Sequence, residues 1–247
     1  MAIESFNEKM AKPFLPFFWA SVFLAIALVA VKASYVLLST FWDWATPMDY
    51  FSGLYLFWAA AASRADLLFA IGVALMGGIA SRMSALYPKA YRATLIAYVG
   101  SGVLCVVYAI VARQIFAYFG SQLTAQLFTL GGDFAQMRDS IFPYLTPPAL
   151  TGLIAIPFFY VLATRAMWRI SRTWTARRVN LVYGIAIGAV ALWLLLGQKL
   201  SGSTWFEAQD RYVVESPQWV MLTSLMPEAA SAKSDLLVRS TVKTTAF

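Results

Sequence analysis

Residues 163–178 read ATRAMWRISRTWTARR. Arg165, Arg169, Arg172, Arg177 and Arg178 crowd into this block with no acidic residue among them, and long apolar runs flank it on both sides. In a chain that is 60% hydrophobic, such a block reads as a cytoplasmic loop between two membrane helices. Short cytoplasmic loops collect Lys and Arg, and that bias orients the neighbouring spans. With this loop placed inside, every other loop acquires a side, and the last part of the chain falls outside.

The composition agrees. The chain has 247 residues, of which 13% are charged, and its mean hydropathy is +0.67. Ordinary soluble domains carry about a quarter charged residues. Several apolar runs approach the ~20 residues needed to cross hydrocarbon. Within lipid, a single segment satisfies its own backbone polar groups only as a helix. The expected fold is therefore an all-α integral membrane protein of about five transmembrane helices. Its N-terminus is cytoplasmic, its C-terminus extracytoplasmic, and amphipathic interfacial helices lie on its outer face. Residues 1–198 form the polytopic membrane domain, and residues 199–247 an extracytoplasmic tail or linker.

The net charge of +7 sits in loops beside apolar spans. It therefore points to topology and anionic head groups rather than to nucleic acid. Cys105 is the single cysteine and excludes an internal disulfide. The chain has no histidine, which removes Ser–His hydrolysis, His-ligated metals and imidazole relays from this polypeptide.

In chain order, Lys9 and Lys12 precede a first span from Phe14 to about Leu38. That run is too long for a signal-peptide core, so it is expected to stay as an uncleaved helix. Lys32 falls in its outer half, where the side chain is expected to snorkel to the interface. The segment Phe41–Ser63, rich in Trp, Tyr and Phe with Asp43, Asp49 and Pro47, reads as an outer-face segment at the head-group level, part of it helical, better than as a clean span. Arg64-Ala65-Asp66 then precedes a second span from Leu67 to Ala80, in which Ala70, Ala74 and Gly78 form a small-residue seam. Arg82, Lys89 and Arg92 make a second inside loop.

The third span runs from about Ala93 to Ile115, with a seam of Ala97, Ser101 and Cys105. The outside loop from Phe116 to Tyr144, with Asp133, Arg138 and Asp139, suggests short amphipathic helices on the outer surface. Pro147 and Pro148 open the fourth span, and Pro157 should kink it. The fifth, Leu181 to about Gly197, carries a GxxxG pair, Gly184 and Gly188.

No catalytic constellation is visible. Arg64 and Asp66 are the most suggestive charged pair. The plainer reading is a salt bridge capping the second span, and the functional one a site holding a lipid phosphate. Trp168 and Trp174 among the arginines fit an interfacial aromatic belt better than a base-stacking surface. The acids Asp133, Asp139, Glu207, Asp210 and Glu215 are dispersed and match no cation cage.

The order of parts resembles the membrane half of lipoteichoic-acid-synthase-like proteins. These are phosphoglycerol and phosphoethanolamine transferases of the sulfatase-like, alkaline-phosphatase superfamily. The residues that carry the likeness are Ser63-Arg64-Ala65-Asp66-Leu67, similar to the Arg-x-Asp-Leu opening that family's second span. Ala117-Tyr118-Phe119-Gly120 with Asp133 resembles its outer loop. Arg211, Ser216-Pro217 and Leu222-Thr223-Ser224-Leu225 resemble its segment leading toward the catalytic domain.

The resemblance implies a membrane-anchoring, lipid-presenting domain, not catalytic by itself. Arg64, Asp66, Asp133 and Arg138 are its candidate lipid-binding groups, and membrane lipids its partners. It also implies that no cofactor sits on this chain, since a divalent metal would belong to the catalytic domain that these residues do not include. The alternative is an accessory subunit of a larger membrane complex with no chemistry of its own. Having no histidine to serve as an axial ligand, such a subunit would not itself ligate haem or chlorin.

Overall fold

The computed structural model describes residues 14–42, 54–119, 124, 147–200 and 215–225. Among these residues the protein is all-helical: α1 (Leu15–Trp42), α2 (Leu54–Ser84), α3 (Pro88–Phe119), α4 (Pro147–Ser171), α5 (Ala176–Leu200) and α6 (Pro217–Ser224). The first five are long and apolar enough to cross a membrane, over Leu15–Ser34, Ala59–Ser84, Pro88–Phe116, Leu150–Ser171 and Arg177–Gly197. The chain is a multi-pass helical membrane protein.

The first helix is the hub. It packs against α2, α3 and α4, while α5 packs on α2. The main core joins Leu24, Ala27, Leu28 and Val31 of α1 to Ala70 of α2, Val106, Ala109 and Ile110 of α3 and Tyr160 of α4. A second cluster sets Leu15 and Trp19 against Val179 at the start of α5. Lipid is as apolar as these side chains, so shape and close approach hold the helices together more than water exclusion does.

That principle marks three glycines. A Cβ on Gly197 of α5 would stand 2.7 Å from the Ala60 carbonyl oxygen of α2. One on Gly77 would stand 2.7 Å from the Tyr98 ring, and one on Gly102 would collide with the Tyr160 hydroxyl. The small-residue seams expected from sequence fare unevenly. Ala70 lies in the core, Ala74 is half-buried, and a Cβ on Gly78 would touch the Phe14 ring at 3.4 Å. By contrast, Gly184 and Gly188 face open space, with nothing within 4 Å of an added Cβ. Ala97 and Ser101 are exposed as well; α3 uses Gly102, Val106, Ala109 and Ile110 instead.

The expected second span needs correction. Leu54–Ser84 is one continuous helix, and its span begins at Ala59 and not at Leu67, so residues 59–63 belong to the span. Ala59, Ala60, Ala61, Ala62 and Ser63 are buried in it. Arg64-Ala65-Asp66, expected at a boundary, lies inside the helix. The fourth helix carries Pro157 in its interior, as the sequence places it. The outer loop carrying Asp133 and Arg138, and most of the stretch 199–247, lie outside the described residues.

Candidate functional site: an intramembrane charge pair beneath a short helix

Two ionisable side chains meet inside the bundle. Lys32 of α1 places its Nζ 3.8 Å from Asp66 Oδ2 of α2, with side-chain exposures of 11% and 2%. A lone charge at that depth would be expensive, and bringing both to the same level lets each neutralise the other. The expectation that Lys32 snorkels away fails for this reason: a carboxylate waits on the neighbouring helix. The Arg64–Asp66 salt bridge is not formed either. Residues two apart on a helix do not face each other, and Arg64 is half-buried on a different face.

The pair has a cover. Lys32 Nζ also donates to the Glu215 backbone carbonyl at 2.9 Å, which ties α1 to the chain just ahead of α6. The Ser216 hydroxyl adjoins Asp66 and donates to Gln218 Oε1 at 2.8 Å. Gln218 Nε2 in turn donates to the Cys105 carbonyl of α3 at 3.1 Å. The Arg113 guanidinium reaches the Ser34 carbonyl at 3.5 Å, closing the gap between α1 and α3 on the same side of the cluster. Neither Asp66 carboxylate oxygen has a hydrogen-bond partner among the described residues, so the Lys32 charge is what compensates it.

The helix that supplies this cover has a reversed polarity. Ser216 and Gln218 are buried together with Val220, whereas Trp219, Leu222 and Leu225 are exposed at 60%, 45% and 62%. Pro217 occupies its first turn, where a missing N–H is harmless.

The opposite end of the bundle gathers the cations. Trp19 Nε1 donates to Ser171 Oγ at 3.1 Å, and the Trp19 and Trp174 rings meet edge-on at 5.9 Å. Phe17 meets Tyr91 edge-on at 5.8 Å. These contacts bring the start of α1, the α2–α3 turn and the α4–α5 turn to one level. Arg82, Lys89, Arg92, Arg165, Arg169, Arg172, Arg177 and Arg178 are all exposed, and the Arg172 guanidinium lies 4.2 Å from the Trp168 ring centre. Trp168 is thus engaged by the first residue of the turn that follows its helix.

Among the described residues no three metal-ligating side chains come together. Of the four lipid-site candidates, Asp66 is buried against Lys32 and so does not face lipid. Arg64 is partly accessible, and Asp133 and Arg138 lie outside the described residues. Sequence reasoning missed Lys32 as the partner of Asp66, along with Gln218 and the Glu215 carbonyl. The available signal was that Lys32 and Asp66, with Arg64 beside the acid, fall in the halves of adjacent spans away from the basic loops. Comparison with protein-family models, curated proteins and solved structures finds no match to this chain.

Proposed function

We propose that this chain is the membrane-anchoring, lipid-presenting domain of a phosphoglycerol or phosphoethanolamine transferase of the sulfatase-like class, not catalytic by itself. It lies in a bacterial cytoplasmic membrane with its C-terminus outside. The observation that carries the reading is the Lys32–Glu215 contact beside Asp66. The Arg-x-Asp-Leu motif supplies the acid of a buried seat, and the chain following the last span is fastened onto that seat. An anchoring domain has to fix where its chain leaves the membrane, and three helices do so here through Lys32, Asp66 and the Cys105 carbonyl. Lipid presentation then falls to Arg64, whose charge is not consumed by Asp66.

The test is transfer of labelled head-group phosphate from phosphatidylglycerol or phosphatidylethanolamine by the native polypeptide in its own membranes. Arg64→Glu should lower that transfer while leaving the amount of folded protein unchanged. Equal activity in the variant would remove the lipid role, and no transfer by the native polypeptide would remove the transferase reading. A reporter fused after Phe247 and active only in the cytosol would overturn the topology.

A second reading, an accessory subunit of a membrane assembly, is favoured by α5. Its Gly184–Gly188 face is open, and its span is the least covered of the five. Stoichiometric co-purification of other membrane polypeptides in mild detergent would support it.

A further inference from the structure

We propose that α6 is embedded in the bilayer, in the half away from the basic end, with its Trp219, Leu222 and Leu225 face against lipid acyl chains. This inference is independent of the transferase reading.

Depth comes first. Between Arg92 and Arg113, α3 presents an unbroken uncharged run that spans about 30 Å at 1.5 Å per residue. The Cys105 carbonyl that receives Gln218 lies eight residues before Arg113, about 12 Å inside the far end of that run. Leu104, next to it, is exposed in the manner of a lipid-facing residue. Lys32, which holds Glu215, likewise lies within the first span. The helix is therefore fastened at two points to levels inside the apolar layer.

Polarity comes second, and it is independent of depth. A helix at a water boundary buries its apolar face and exposes its polar one. This one departs from that rule: the polar Ser216 and Gln218 are buried beside Val220, and a Trp and two Leu point outward. Lipid explains both halves. The polar side chains have partners only toward the bundle, and the apolar ones lose nothing by facing hydrocarbon.

Its remaining hydroxyls fit the same surroundings. Thr223 Oγ1 donates to the Trp219 carbonyl at 3.0 Å and Ser224 Oγ to the Met221 carbonyl at 2.8 Å, so neither needs water. At eight residues the helix is about 12 Å long and too short to cross the membrane. Residues 199–247 are consequently not a wholly water-borne tail, since part of them returns to lipid.

Site-directed spin labelling of the full chain tests this. Cys105→Ser removes the only thiol, and Gln218 uses the backbone at that position, so its bond survives. Nitroxides are then placed one at a time through Trp219→Cys or Leu222→Cys, in vesicles of phosphatidylcholine with phosphatidylglycerol. Collision with oxygen, which concentrates in hydrocarbon, should exceed collision with a water-soluble nickel chelate, as at a Leu104→Cys control and opposite to a Lys89→Cys control. Nickel accessibility like that of Lys89→Cys would overturn the proposal, and so would low accessibility to both reagents, which means that protein covers the face.

A label-free measurement guards against a misfolded variant. Brominated acyl chains should quench more of the wild-type tryptophan emission than of the Trp219→Phe emission. Equal quenching in the two would overturn the proposal.

Discussion

Replacing Lys32 with Met keeps much of the side chain's length but strands the Asp66 carboxylate. At 3.8 Å the two charges attract by about 4 kcal/mol at an effective dielectric of ~20. Removing one member of a buried pair typically costs ~3–5 kcal/mol, because the other is left uncompensated. The Lys32→Met change also deletes the bond to the Glu215 carbonyl, a loss of about 1–2 kcal/mol. For a chain of this size each kcal/mol moves the midpoint by ~2–4 °C, so the variant should melt roughly 10–25 °C below wild type. Cys105 offers a built-in readout. It is the one thiol, and it is partly buried beside Gln218, so a dye that fluoresces on reacting with thiols reports its exposure during heating in detergent. Asp66→Leu alone should destabilise to a similar degree. The double variant Lys32→Met with Asp66→Leu should recover most of the loss, since an apolar pair needs no compensation. If the single variants melt like wild type, or the double variant is worse than either, the two groups do not form the buried pair described here.

Other expectations concern the helix contacts. Gly197→Val should loosen α5 from α2 by about 1–3 kcal/mol, the usual cost of overpacking, because the obstructing atom is the Ala60 backbone carbonyl; unchanged melting would contradict that approach. Gly102→Val should act similarly against Tyr160, and the additional change Tyr160→Ala should relieve it. Gly184→Leu and Gly188→Leu should leave melting of the isolated chain unaltered, since both positions are open; a clear loss would place another surface on α5. Trp193→Phe removes the indole bond to Ser63 Oγ at 2.9 Å and should lower stability by about 1 kcal/mol.

The number and order of the spans could be read from sequence, because each is an apolar run bounded by charge. The clustering of basic residues at one end of the bundle was also legible, as it follows from which loops are basic and from the alternation of antiparallel helices. What escaped depends on register. Lys32 sits near one end of its run, and nothing in α1 alone says that an acid lies at the same height on α2. The same pair hid the true extent of α2. An Arg and an Asp inside an apolar run look like a boundary until the Asp is neutralised from another helix. Close approach was similarly illegible. The GxxxG pair of α5 points to open space, while its lone Gly197 meets a carbonyl. Which face of a helix is inward is decided by its neighbours and not by its own spacing. The roles of Ser216 and Gln218 were not legible either, since their partners lie on α2 and α3, far away in sequence.

The indole of Trp19 is held by Ser171, 152 residues further along. At ~5–20 residues per second of synthesis, the interval between making the two is on the order of ten to thirty seconds. Asp66, by contrast, follows Lys32 after a much shorter wait. Lys32 therefore acquires its electrostatic partner soon, together with the packing of α1 on α2, whereas the Trp19–Ser171 bond forms late. Until α4 has been inserted, acyl chains as apolar as the missing side chains cover that flank of α1, and only the Trp19 indole N–H waits for its acceptor.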